Sequence, residues 1–207
     1  MKVILYGATG KAGSRILQEL IARGHDVTAV ARDPEKLPPK VESKRGDLDN
    51  VDAIASVIAG ADAVVSAYGP PPDDTDQLVA VTERLIAAVK KGGTPRLIVV
   101  GGAASLEVAP GVTLIASGHL PAAYLPIAKS HDKALKLLQA SDINWTYFSP
   151  AAFFEPGERT GKFRLGANEL IADEKGESRI SMEDYAIALV NELEHPAHER
   201  ARFTVGY

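Results

Sequence analysis

Short unbroken apolar runs alternate along this chain with segments whose apolar residues recur at helical spacing. Residues 2–6 form the first run and lead into a glycine, as a buried parallel strand does. Over residues 13–23, Ile16, Leu17, Leu20 and Ile21 share one helical face, and Gly24 supplies a stop. A β-rich run follows at 26–31. Asp33 and Pro34 then predict an N-cap and a first-turn proline for a short turn. A weaker third strand spans 41–47, a short helix 50–59 and a fourth strand 61–66. Residues 74–91 carry Leu78, Val81, Leu85, Ile86 and Val89 on one face before the Gly92-Gly93 stop. The most apolar strand, 96–100, is expected near the centre of the sheet.

From residue 101 the pattern loosens. Residues 101–127 read as a long loop rich in glycine and proline, a length that often carries function in compact domains. A helix over about 129–140 and a strand over 144–148 follow. Residues 150–180 mix proline, glycine and short β-like runs. Ser181 opens the last helix in a capping-box-like start, with Tyr185, Leu189 and Leu193 on its apolar face, and 202–205 is a final strand. This alternation implies right-handed crossovers and an α/β, doubly wound Rossmann fold, with a mostly parallel sheet covered by helices on both faces. No internal repeat or clear boundary divides it. One domain over 1–207 is expected, with 150–180 as a small α/β insertion on the substrate side.

Composition narrows the chemistry. The 207 residues can bury a core without cross-links, and the absence of cysteine excludes disulfides, Cys-ligated zinc, iron–sulfur clusters and thiol nucleophiles. No metal is expected. A net charge of -4, a pI near 5.8 and the lack of any basic run argue against nucleic acid as a partner. No stretch reaches the roughly 18 apolar residues of a membrane span, and the opening run is too short for a signal peptide, so a cytoplasmic location is expected. Monomer and homodimer both stay open.

The strongest motif is the turn after the first strand: Gly7, Ala8, Thr9, Gly10, Lys11, Ala12 and Gly13, spaced G-x-x-G-x-x-G. A strand before it and a helix after it make this a dinucleotide-binding turn. One glycine makes the turn, one admits the pyrophosphate, and one lets helix and strand pack closely. The helix N-terminus adds free N–H groups and partial positive charge. At the end of the second strand an NAD site usually places an acid, whereas here Arg32 stands ready for a 2′-phosphate, with Lys11 as a second cation. The adjacent Asp33 has two readings, a ribose-binding acid or the cap of its own turn, and the cap is preferred. NADP(H) is therefore the preferred cofactor, and NAD(H) remains an option. Asp47 is either an acceptor for the adenine amino group, with Leu48 against the ring, or a helix cap. Ser66, Ala67 and Tyr68 close the fourth strand and are expected to line the crevice.

These residues resemble the atypical short-chain dehydrogenase/reductases, in particular the NADH-flavin reductase and NmrA-like branch related to the flavin/biliverdin-IXβ reductases. The glycine turn, Ala31-Arg32-Asp33-Pro34, the segment from Val99 through Gly101 and Gly102 to Ser105, and the stretches 159–166, 178–186 and 202–207 carry the resemblance, which covers essentially the whole chain. It implies an NAD(P)-dependent oxidoreductase acting on a small-molecule acceptor, and it does not define which.

The wider superfamily pairs Tyr and Lys as Y-x-x-x-K, so that the ammonium lowers the phenol pKa. Here Tyr124 and Lys129 are one residue too far apart, with Pro126 between them. Tyr124 and Ser105, the latter following the fifth strand, are the catalytic candidates. Lys129 or Lys133 could reach the nicotinamide ribose, His131 reads as a surface residue, and the segment 149–154, with Pro150, would pack on the nicotinamide with Phe153 or Phe154 facing substrate. A flavin or quinone reduction needs no side-chain acid, since solvent can supply the proton. A non-catalytic NADP(H)-sensing regulator is the alternative.

Overall fold

The structure is a computed structural model that describes residues 1–94 and 96–207. Its main sheet contains β1 (Lys2–Tyr6), β2 (Asp26–Ala31), β3 (Glu42–Arg45), β4 (Ala63–Ser66), β5 (Leu97–Val100), β8 (Trp145–Ser149), β10 (Arg164–Gly166) and β12 (Ala201–Gly206). Between them in the chain lie the short strands β6 (Glu107–Ala109), β7 (Val112–Thr113), β9 (Phe153–Glu155) and β11 (Arg179–Ser181). The spatial order is β10-β12-β8-β5-β4-β1-β2-β3, and only β10 runs antiparallel to its neighbour. The chain leaves β1 in one direction to β2 and β3 and in the other to β4 and β5. That reversal opens a crevice at the carboxyl ends of β1 and β4, where doubly wound sheets bind ligands. β5 is one of the two central strands, as its composition predicts.

Among the described residues, five α-helices cover the sheet: α1 (Lys11–Ala22), α2 (Val51–Ile58), α3 (Gln77–Gly92), α4 (Leu125–Ala140) and α5 (Met182–Glu194). The period of two in β1 sends Val3 and Leu5 to the face under α1 and α5, and Ile4 and Tyr6 to the face under α2, α3 and α4. On the first face Phe148 stacks between Tyr185 and Phe203 at 4.1 and 4.0 Å, and the Tyr185 hydroxyl donates to the Phe148 carbonyl at 2.7 Å. Gly24 and Gly93 adopt the left-handed conformation after α1 and α3, as helix-stopping glycines do. No helix among the described residues is long and apolar enough to cross a membrane.

Several local expectations are corrected. The 101–127 segment is not all loop: β6 and β7 form a hairpin, tethered by the Arg202 guanidinium, which donates to the Ser105 carbonyl, to Ser105 Oγ and to Asn168. α4 begins at Leu125, about a turn early, because Pro126 occupies its first turn, where the missing N–H is harmless. Asp33 caps nothing with its side chain. Its carboxylate sits 3.3 Å from Lys36 Nζ. Asn50, not Asp47, caps α2, accepting from the N–H groups of Asp52 and Ala53. Ser181 does cap α5 through Asp184 N–H, but the reciprocal half of the box is absent.

In place of that half, the Asp184 carboxylate is buried and accepts from Thr160 N–H, Gly161 N–H, Thr160 Oγ and the Tyr207 hydroxyl. Burial opposes its charge, yet the bonds from Thr160, Gly161 and Tyr207 hold its pKa below the ordinary carboxylate value. Arg159 reaches Glu19 on α1, and Glu183 takes the Gly157 N–H. These bonds fasten the 156–161 segment to both helices.

Candidate functional site

The glycine turn joins β1 to α1 in a space too small for side chains. Gly7 has φ +79°, and a Cβ there would lie 2.3 Å from the Ala67 carbonyl oxygen. A Cβ on Gly13 would lie 2.0 Å from the Gly7 carbonyl oxygen. Gly10 is exposed at the N-cap of α1 and donates to Gly7 O at 2.9 Å. No side chain caps α1, so its first N–H groups stay available to an anion.

A cleft of about 550 Å³ runs across the carboxyl ends of the strands. At one end lie Arg32, Asp47 and Leu48. The glycine turn, through Gly7, Thr9, Gly10, Lys11 and Ala12, lies along the cleft with Ala67, Tyr68 and Gly69. Val100, Gly101, His131 and Phe154 also line it, and Asp49 lies beside Asp47 and Leu48. Arg45 donates to the Arg32 carbonyl at 2.9 Å, while Asp33 is absent from the lining. The Tyr68 hydroxyl donates to Gln77 at 3.1 Å, and partial burial raises its pKa. Burial first and Asp47 second raise that of Tyr6.

The other expected residues stand back from this surface. Ala8 and Ser66 are buried beneath it, and Gly13 packs under Gly7. Gly102 donates its N–H to the Tyr147 hydroxyl, and Lys133 pairs with Asp76 at 3.2 Å. Pro150 is buried. Phe153 is 56% exposed beneath the Arg179 guanidinium and lines a separate hollow of about 230 Å³, while Phe154 faces the cleft. Ser105 Oγ is occupied by Arg202 at 2.9 Å. Tyr124 is 59% exposed and lines neither hollow.

His131 corrects the surface reading: it is half-buried in the cleft wall, with Nδ1 3.1 Å from the Tyr147 hydroxyl. Burial lowers its pKa to about 4. A signal for it was present. Ala128, His131, Leu135 and Leu138 share one face of α4 at spacings of three and four, and the other three are buried.

Comparison with known proteins agrees with this geometry. Residues 7–196 match the NAD(P)H-binding family. A Burkholderia pseudomallei protein, provisionally called exported, is 47% identical with a TM-score of 0.93 over 100% of both chains. A Bacteroides thetaiotaomicron protein, provisionally called an epimerase, is 44% identical with a TM-score of 0.92, over 100% of this chain and 96% of the other. A Streptococcus pneumoniae protein, provisionally called an NADH-flavin reductase, is 34% identical with a TM-score of 0.90, over 100% and 99%. These names disagree about reaction and agree in fold. With its Rossmann topology and glycine-lined crevice, this chain belongs to the NAD(P)H-binding family of reductase-like proteins.

Proposed function

We propose that this chain is an NADPH-dependent oxidoreductase that reduces a flavin, quinone or similar planar acceptor. The carrying observation is the pairing of its two cleft ends: Arg32 at one, with Asp33 outside the lining, and Val100, Gly101 and Phe154 at the other, with neither Tyr124 nor Lys129 in the lining. In this reading Gly7, Thr9, Gly10, Lys11 and Ala12 take the pyrophosphate, and Gly13 keeps the turn closed. Arg32 takes the 2′-phosphate in a charge-assisted pair. Asp33, engaged by Lys36, leaves the ribose end to Arg32. Asp47 accepts from the adenine amino group, Leu48 covers the ring, and Ala67 and Tyr68 flank the crevice.

NADPH supplies a hydride when bound. The protein's part is to orient and to exclude water: Gly101 lets the cleft wall pack on the buried Tyr147 ring, which a Cβ there would meet at 2.4 Å. Phe154, packed on Tyr185 at 4.7 Å, gives the acceptor an apolar wall. Mixing the protein with NADPH and FMN, FAD or quinones, and following nicotinamide absorbance, tests this. Oxidation that depends on one of these acceptors is expected. Tight NADPH binding without turnover on any acceptor would establish the second reading, a nucleotide sensor, which the absence of Tyr124 and Ser105 from the cleft lining favours.

A further inference from the structure

We propose that His131 donates a hydrogen bond from Nε2 to the acceptor atom on which negative charge develops, and that Tyr147 is the positioning residue that keeps the imidazole proton on that nitrogen. The role rests on the reductase reading above. It arises from a junction of three elements: α4, the end of β8, and the turn after β5.

Tyr147 is fully buried on β8 beneath α4. Its oxygen accepts the Gly102 N–H at 3.1 Å. Its own proton has two acceptors: His131 Nδ1 at 3.1 Å, and the His131 carbonyl at 3.3 Å. The nearer is the ring nitrogen. The two rings meet edge to face, with centroids 6.5 Å apart. Because burial lowers the imidazole pKa to about 4, His131 is neutral near pH 7 and carries one N–H. With Nδ1 accepting from Tyr147, that N–H is at Nε2.

Nε2 has no hydrogen-bond partner among the described residues, and the side chain lines the cleft beside Val100, Gly101 and Phe154. Gly102 makes the position possible, since a Cβ there would lie 2.9 Å from the imidazole Cγ. A neutral imidazole of this kind is an electrophilic donor whose orientation is set before the reaction starts. The acceptor takes two electrons and one proton as hydride, its second proton comes from water, and His131 ends the cycle unchanged. This places the donor in the cleft wall, which the exposed Tyr124 does not line.

Three variants and one spectroscopic measurement test the assignment. His131→Phe keeps an aromatic ring and removes the donor. His131→Gln keeps an amide N–H close to the Nε2 position. Single-turnover reduction of FMN or a soluble naphthoquinone is measured at saturating NADPH, and NADPH affinity is measured separately. His131→Phe is expected to slow turnover about 10- to 100-fold, with NADPH affinity changed less than about twofold. His131→Gln is expected to recover much of the rate. Nitrogen-15 NMR of histidine-labelled wild type should show Nε2 protonated and Nδ1 bare, and Tyr147→Phe should abolish that preference. A His131→Phe enzyme at full speed, or a proton found on Nδ1 in the wild type, overturns the role of His131 alone. A wild type inert towards every acceptor overturns the reductase reading and this role with it.

Discussion

Gly10 and Gly13 sit three residues apart in one turn, yet the same substitution should do different things to them. In Gly13→Ala the new methyl carbon would stand 2.0 Å from the Gly7 carbonyl oxygen and 2.7 Å from its carbon. Both are backbone atoms, so no side chain can swing aside. α1 must move away from the turn by more than an ångström to restore contact distance. Overpacking against fixed backbone costs about 3 kcal/mol, the upper part of the usual range. For a chain of this size that lowers the melting temperature by roughly 6–12 °C. Gly10 has φ -77° and ψ 170°, a conformation open to any residue, and its Cβ would meet only Gly7 O at 3.2 Å. The small crowding is offset by about 0.4–1 kcal/mol from a less flexible unfolded chain. Gly10→Ala should therefore melt within about 2 °C of wild type. Its methyl nonetheless occupies the surface proposed for the pyrophosphate, so NADPH affinity should fall about tenfold or more, about 1.4 kcal/mol. Differential scanning fluorimetry and fluorescence titration with NADPH read the two effects. A Gly13→Ala protein as stable as wild type refutes the packing argument. A Gly10→Ala protein with unchanged NADPH affinity refutes the path of the pyrophosphate.

Arg32→Ala should weaken NADPH about 10- to 100-fold, the loss of one or two charge-assisted bonds, while NADH affinity changes less than about twofold; an equal loss for both removes Arg32 from the 2′-phosphate. Asp184→Ala strands the Thr160 and Gly161 N–H groups, each 2.8 Å from the carboxylate, together with the Tyr207 hydroxyl. A loss of about 3 kcal/mol is expected in urea unfolding, and less than about 1 kcal/mol would mean the 156–161 segment is held by something else. His131 makes stability depend on pH. Its folded pKa of about 4 lies below its ordinary 6.5, so the unfolded chain takes up the proton first, and stability falls as pH drops from about 6.5 towards 4. The loss approaches about 3 kcal/mol, and it should vanish in His131→Gln; equal pH profiles for the two proteins would contradict it.

Much of the fold was legible because the strongest elements announce themselves locally. The runs at 2–6 and 26–31 became β1 and β2 with the same limits, since strands covered on both faces need continuous apolar sequence. The β6–β7 hairpin was not legible. It has only five strand residues in a stretch rich in glycine and proline, and Arg202, far away in the chain, ties it down. α4 started earlier than its pattern suggested because a proline that ends a helix from within is welcome in its first turn.

The candidate site divides in the same way. The glycine turn is a local device whose steric demands are written in consecutive residues, so the sequence alone determined its place and its shape. Neighbouring choices needed the third dimension. Arg32 and Asp33 are adjacent and both polar, and only the folded backbone turns the first into the cleft and leaves the second outside it, beside Lys36. Phe153 and Phe154 point to opposite sides of β9, which a one-residue change in register would exchange. His131 acquires its environment from Tyr147 and Gly102, which lie 16 and 29 positions away in the chain. Local spacing is set by covalent geometry and was readable. Proximity between distant residues is created by sheet order and helix packing, and the tertiary structure alone decided it.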